Sequence, residues 1–278
     1  VPFLDQCFQP RDNDGFWSRS DWQARSQGAQ VPALIQSGWF DDNGMGTTQA
    51  LELVHGFPAE KRKVILGPWQ HSGNSRYDMH GVSFGSQALR FDLDLLYFRW
   101  FERHLKGVEN GVDREAPVEY YTLGQERWKT AENWPVPATA EQALYLTSSG
   151  HANTSSGDGL LTWQAPAQEG RDSYRYDPQD PATHIVDMSE NELEVPEDYT
   201  REEQRQDILC YTTPPLPEDV TVTGDMTAEL YISSDAPDTD FVVRVTDVGE
   251  NGRSIKLADG VLSVRYRNGF EKAEFLEE

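Results

Sequence analysis

Two compact apolar runs lie near the start of the chain, at 31–35 (Val-Pro-Ala-Leu-Ile) and 64–66 (Val-Ile-Leu). Continuous apolar runs are typical of parallel strands, because helices cover both faces of a parallel sheet. Between the runs, residues 45–55 place apolar side chains at helical spacing, with Thr47 as a candidate N-cap. Because a parallel crossover is usually a helix, residues 31–71 are predicted to form a strand, a helix and a second, parallel strand.

A second helical pattern, the clearest in the chain, covers residues 86–107. Its apolar side chains recur at the spacing i, i+4, i+7 and i+11 that places them on one helix face. These side chains are Leu89, Leu93, Leu96 and Trp100. Gly107 follows at a position where a left-handed glycine commonly ends a helix. We expect this helix to pack against the sheet that contains the two strands.

Beyond residue 112 the pattern changes to short β-prone runs separated by glycine-rich turns. The predicted strands are 118–122, 143–147, 228–232 and 241–245. Many short strands with such turns between them indicate a β-sandwich or a jelly roll. The sequence therefore predicts an α/β part followed by an all-β part.

A titratable side chain follows each of the two predicted strands near the start of the chain. Asp41 ends the motif Gly-Trp-Phe-Asp at 38–41, and His71 ends the motif Gly-Pro-Trp-Gln-His at 67–71. Catalytic groups of open α/β sheets gather at the carboxyl ends of the strands. An acid followed by a histidine, in that chain order, is also the second half of an α/β-hydrolase triad, whose serine comes earlier.

The two motifs resemble those of the cocaine esterase and X-Pro dipeptidyl-peptidase family of α/β-hydrolases. Residues 14–20 resemble the segment that leads out of the helical cap in that family. Three further segments resemble its C-terminal jelly-roll domain, at 210–212, 238–241 and 259–261. The resemblance covers nearly the whole chain, and the two motifs at this spacing are its most specific part.

The resemblance implies a serine hydrolase that cleaves ester or amide bonds through an acyl-enzyme. Asp41 would be the triad acid and His71 the triad base. The serine and the oxyanion groups of the family lie upstream, so we expect a fragment that lacks the nucleophile half and assign no nucleophile in this chain. No cofactor and no metal are expected.

The predicted fold class is α/β plus all-β. Residues 1–28 are expected to end a helical cap, and residues 29–112 to form the C-terminal part of an α/β-hydrolase domain. Residues 113–278 are expected to form a β-sandwich of the jelly-roll, galactose-binding-like type, truncated at its end.

Several candidate residues have a second interpretation. Asp41 could be a turn aspartate, since Asp-Asn-Gly follows it. Trp39, Phe40 and Trp69 could line the acyl pocket or pack the core beside it. Ser83 lies in a Gly-x-Ser-x-Gly match, but no strand pattern precedes it and it follows the histidine, so we expect it not to be a nucleophile.

Composition restricts the partners. The chain carries 47 acidic and 24 basic residues, a net charge of −23, which repels nucleic acid and anionic membranes. No run approaches the ~20 apolar residues of a membrane span. Its two cysteines, Cys7 and Cys210, exclude a multi-disulfide scaffold. The expected partner is a small-molecule or peptide substrate. A homo-oligomer is possible, and the sequence does not indicate the compartment. The alternative function is a non-catalytic jelly-roll module that binds carbohydrate or protein.

Overall fold

The structure is a computed structural model that describes residues 2–7, 15–26, 28–29, 31–41, 44–137, 139–168, 170–186 and 196–277. The chain divides into two compact units. One consists of Val1–Ala29, Met226–Val245 and Leu257–Glu278, and the other of Gln30–Asp225 and Thr246–Lys256. The predicted domain boundaries, at residues 28 and 112, stay a prediction.

The described residues contain four α-helices and ten strands, together with short 3-10 helices. The helices are α1 (Pro2–Cys7), α2 (Trp22–Arg25), α3 (Gly44–His55) and α4 (Leu93–Lys106). The first five strands are β1 (Ala33–Gly38), β2 (Arg62–Gly67), β3 (Asp78–Met79), β4 (Val82–Ser83) and β5 (Val118–Thr122). The others are β6 (Arg127–Ala131), β7 (Tyr145–Thr147), β8 (Leu160–Thr162), β9 (Asp240–Val248) and β10 (Ser254–Ser263).

A four-stranded sheet in the order β1-β2-β5-β6 organises the larger unit. Strands β1 and β2 are parallel and pair from Ala33 with Arg62 to Gly38 with Gly67. Strand β5 runs parallel to β2, and β6 returns antiparallel to β5. The predicted strand, helix and parallel strand over residues 31–71 are therefore confirmed.

The two longer helices cover opposite faces of this sheet. On one face, Val64 and Leu66 of β2 pack in a core with Val54 of α3. On the other face, Ile65 of β2 packs with a cluster that includes three side chains of α4, namely Leu93, Leu96 and Trp100. Since side chains alternate along a strand, β2 is buried on both faces, and its apolar run reflects that position.

Two details of the helix predictions are wrong. Helix α3 begins at Gly44, so Thr47 is not its N-cap; the Thr47 hydroxyl instead pairs with the Ser37 hydroxyl of β1 at 2.6 Å. The second helix begins at Leu93 rather than at residue 86. The Asn74 side chain forms hydrogen bonds with both the backbone N–H and the carbonyl of Arg90, so these groups do not form helical hydrogen bonds. Its predicted end at Gly107 is confirmed by a left-handed backbone there.

The strand predictions beyond residue 112 hold in part. Residues 118–122 form a strand, but it lies beside β2 in the four-stranded sheet instead of in a β-sandwich. The predictions near 145 and 241 agree with β7 and β9. Residues 228–232 form no strand, because β-prone residues form a strand only where a neighbouring strand pairs with them. Tyr231 in this segment is 96% exposed.

Small two-stranded sheets make up the other regular β-structure. Strand β7 pairs with β8 and β9 with β10, each as a separate sheet, and β3 pairs with β4. The jelly-roll arrangement stays a prediction. None of the helices in the described ranges is both long and apolar enough to cross a bilayer.

Candidate active site

The pairing of β1 with β2 continues past the ends of both strands and brings the two motifs together. Trp39 N–H donates to the carbonyl of Gly67 at 2.9 Å, and Phe40 N–H donates to the carbonyl of Trp69 at 3.0 Å. The chain therefore enters each motif in a fixed register. Asp41 and His71 follow directly at the carboxyl edge of the sheet, where such folds place their catalytic groups.

The Asp41 carboxylate and the His71 imidazole form a hydrogen-bonded pair. His71 Nδ1 and Asp41 Oδ1 are 3.2 Å apart. The carboxylate is sheltered, with 15% of its side-chain surface exposed, whereas 61% of the His71 side chain is exposed. A sheltered acid on Nδ1 can fix the ring tautomer and stabilise its charged form, which leaves Nε2 to exchange protons with a reacting group.

The glycine that opens each motif is required by a close approach to Trp69. A Cβ at Gly38 would lie 2.5 Å from the Trp69 carbonyl carbon and closer still to its oxygen. A Cβ at Gly67 would lie 2.5 Å from Trp69 Cε3 and closer still to two other indole carbons. Both glycines thus let the two strand ends meet around one tryptophan, two residues before His71.

A tight turn carries His71 away from the sheet. Gly73 N–H donates to the Gln70 carbonyl at 2.8 Å, so residues 70–73 close a turn with His71 inside it. Gly73 has a φ of +77°, a conformation that side chains with a Cβ rarely adopt. The imidazole direction therefore depends on the backbone of this turn.

The three aromatic side chains predicted near the pocket are packed in the protein interior. Phe40 and Trp69 are buried, and Trp39 is half-buried with its indole N–H on the Tyr121 carbonyl at 2.9 Å. The Trp69 indole N–H donates to the Ala88 carbonyl at 2.9 Å. This placement favours the core-packing interpretation, and substrate contact by these residues stays a prediction.

Ser83 lies on a short hairpin. Its strand β4 pairs antiparallel with β3, and Gly85 N–H donates to its hydroxyl at 3.3 Å. A nucleophile elbow instead joins a buried parallel strand to a helix. The expectation that this motif is not an elbow agrees with the structure. Among the described residues, no group of three or more His, Cys, Asp or Glu side chains could hold a metal ion.

Sequence reasoning missed a charge network around a buried lysine of the sheet. Lys63 of β2, only 1% exposed, pairs with Glu119 of β5, and Arg90 binds the other oxygen of Glu119 at 2.7 Å. Burial opposes ionisation of Glu119, but the hydrogen bonds and charges of Lys63 and Arg90 outweigh it and lower its pKa. These residues are far apart in the sequence, so no local pattern signals their contact.

A mixed sheet with three parallel strands, covered by helices on both faces and with an acid and a histidine paired at the carboxyl ends of two of those strands, defines an α/β-hydrolase type of arrangement. Comparison with known proteins agrees. Residues 110–277 match the X-Pro dipeptidyl-peptidase C-terminal non-catalytic domain, and residues 1–73 match the X-Pro dipeptidyl-peptidase of the S15 family. The chain belongs to the cocaine esterase and X-Pro dipeptidyl-peptidase family, which confirms the resemblance seen in the motifs.

Individual relatives extend over the whole chain. The cocaine esterase of Rhodococcus sp. (strain MB1 Bresler) is 33% identical over 283 residues, which cover 99% of this chain and 48% of that protein. An aminopeptidase from a marine sediment Thaumarchaeota archaeon has a TM-score of 0.79, and an α-amino acid ester hydrolase one of 0.74. Each of these structures is 20% identical, with 100% of this chain and 48% of the other covered, and shows the fold alone. The chain spans about half the length of these relatives.

Proposed function

We propose that the protein is a serine hydrolase that cleaves ester or amide bonds through an acyl-enzyme. The observation that carries this proposal is the contact of 3.2 Å between His71 Nδ1 and Asp41 Oδ1, beyond the ends of two adjacent parallel strands. The names of its relatives, a cocaine esterase and the X-Pro dipeptidyl-peptidase family, support the same class of reaction.

Each member of the pair has a defined role in this reaction. His71 Nε2 takes the proton of the nucleophilic serine as that serine attacks the acyl carbon, and later gives it to the leaving group. Asp41 holds the ring with Nδ1 protonated and stabilises the imidazolium that forms. We assign no nucleophile in this chain, and Ser83 is not this serine, since it lies on a hairpin without the geometry of an elbow.

The chemistry belongs to the residues that precede 110. Residues 110–277 match a domain described as non-catalytic, which supports this placement. Because residues 118–122 and 127–131 pair in the sheet with β2, we propose that the jelly-roll domain begins after residue 131. A purely carbohydrate- or protein-binding module is the weaker candidate, because it needs no acid and histidine paired at the ends of two strands. The substrate we propose is a small molecule or a peptide that carries an ester or amide bond.

Labelling of the full-length protein with a fluorophosphonate probe tests this function. We expect strong labelling of the parent protein and its loss in His71→Ala, because the serine is not activated without its base. His80→Ala is the matched control. His80 also contacts a carboxylate, that of Glu197, but it lies on the loop between β3 and β4. This variant should label like the parent.

Two results would contradict the proposal. One is no labelling of folded parent protein, which would favour the binding module. The other is equal labelling of the parent and His71→Ala, which would show that a serine reacts without His71. Circular dichroism of each variant establishes that a loss of labelling does not come from unfolding.

A further inference from the structure

The position of the His71 imidazole depends on the turn that carries it as well as on Asp41. Asp41 contacts the ring at Nδ1, and 61% of the His71 side-chain surface is exposed. The turn over residues 70–73 is short, and the chain then continues into the loop before β3. What fixes this loop also fixes the direction of the imidazole.

Asn74, immediately after that turn, binds both backbone groups of Arg90. The Arg90 N–H donates to Asn74 Oδ1 at 2.8 Å, and Asn74 Nδ2 donates to the Arg90 carbonyl. A side-chain amide that pairs with the N–H and the carbonyl of one residue imitates a β-bridge and permits one orientation. The turn of His71 is thereby joined to a point 16 residues later in the chain.

Arg90 is itself anchored to the centre of the sheet. Its guanidinium binds both oxygens of Asp92 at 2.7 Å and Glu119 Oε2 at 2.7 Å, and it lies 4.9 Å from the ring centre of Trp128. Glu119 in turn pairs with the buried Lys63. Because Glu119 is on β5 and Lys63 on β2, the anchor reaches the two central strands.

We propose that Asn74 is a positioning residue for His71. Through its hydrogen bonds to Arg90, it holds the turn of residues 70–73 in a fixed position relative to the sheet. This inference rests on the proposed function, since it assigns a role in that reaction. Catalytic groups must be held within about 0.5 Å of the productive geometry, and a misplacement of about 1 Å can cost ~100-fold in rate. Loss of the Asn74 contacts should therefore lower kcat by roughly 10- to 100-fold with little change in KM.

The experiment compares Asn74→Ala with Asn110→Ala in the full-length protein. Asn110 is a matched control, because its side chain also binds two backbone groups, the Arg99 carbonyl at 2.7 Å and the Val112 N–H at 3.1 Å. It lies after α4 and has no contact of this kind with the turn of His71. Both variants lose two hydrogen bonds, so we expect similar decreases in melting temperature.

Hydrolysis of p-nitrophenyl butyrate gives kcat and KM, and we expect only Asn74→Ala to lose kcat. Asn74→Asp retains the acceptor for the Arg90 N–H and should recover part of it. Equal kcat values in Asn74→Ala and Asn110→Ala would overturn the proposal, whether both are low or both are normal. A loss that appears only as a raised KM would also overturn it.

Hydrogen exchange measured by mass spectrometry separates this inference from the proposed function. Peptides covering residues 70–77 should exchange about tenfold faster in Asn74→Ala and at the parent rate in Asn110→Ala. If His71→Ala keeps full esterase activity, the proposed function fails, and faster exchange in Asn74→Ala still supports the anchoring of the turn. Unchanged exchange overturns that anchoring, whatever the activity.

Discussion

The close approach of Gly67 to Trp69 makes Gly67→Ala the sharpest test of how the site is built. The added Cβ would lie 2.5 Å from Trp69 Cε3 and closer to Cδ2 and Cε2, well inside van der Waals contact. Trp69 has little room to move, because it is 2% exposed and its indole N–H is bound to the Ala88 carbonyl at 2.9 Å. Its ring also packs 5.5 Å from that of Trp128.

The expected loss of stability follows from these contacts. Overpacking a filled core costs about 1–3 kcal/mol, and displacing the indole from the Ala88 carbonyl adds roughly 1 kcal/mol. Alanine also restricts the unfolded chain, which offsets up to about 1 kcal/mol. Gly56→Ala shares this unfolded-state effect, but a Cβ at Gly56 meets no atom within 4 Å and no left-handed backbone. The difference between the two variants should therefore be about 3 kcal/mol, or roughly 6–12 °C in melting temperature.

Urea denaturation and thermal melts of the parent, Gly67→Ala and Gly56→Ala measure this difference. We also expect Gly67→Ala to lose hydrolase activity at temperatures where it remains folded, because Trp69 lies two residues before His71. If the two alanine variants differ by less than about 1 kcal/mol, the indole can be displaced at little cost, and the reasoning on the motif glycines is refuted.

Two further predictions concern the charged groups of the site and its support. Asp41→Asn should lower kcat by up to ~10⁴-fold with KM little changed, because the tautomer of the His71 ring is no longer fixed. Steady-state ester hydrolysis measures kcat and KM, and a loss of kcat under about tenfold would contradict the role of Asp41 as the acid. Glu119→Gln should lose about 3 kcal/mol in urea unfolding at pH 7, because the buried Lys63 side chain loses its carboxylate partner. Since the folded-state pKa of Glu119 is lowered from 4.5, its contribution is present above that pH and is lost as pH falls through the folded-state pKa. The parent should therefore lose more stability than Glu119→Gln in the acid range, and parallel profiles would contradict this.

The part of the fold encoded by local patterns was predictable. The apolar run before Asp41, the helical spacing over 45–55 and the run before His71 specify a strand, a helix and a strand without any distant contact. The position of Asp41 and His71 after parallel strands then follows from geometry alone. The structure adds their separation of 3.2 Å, which depends on the register of β1 and β2.

Features that depend on distant partners could not be predicted. Residues 118–122 show only that a strand forms; its pairing with β2 decides that it belongs to the α/β sheet. The helix pattern from residue 86 is interrupted because Asn74 takes the backbone groups of Arg90. Lys63 lies inside a buried strand, where an unpaired charge is costly, and its contacts with Glu119 and with the Ala116 carbonyl make this placement possible.

The register of β1 on β2 is the most demanding condition on the site. A strand advances about 3.3 Å per residue, so a slip of one position would move Asp41 from His71 by about the length of their present contact and would turn the side chains of β1 to the other face. Gly38 and Gly67 oppose such a slip, because they pair with each other and each contacts Trp69. A slip would place a residue with a Cβ where only glycine fits. The motif glycines therefore hold the acid and the base in register, while Asn74 and Arg90 fix the turn that follows. Substitution of Gly67 should lower both stability and activity, whereas Asn74→Ala should lower kcat by more than its loss of stability explains, as the comparison with Asn110→Ala shows.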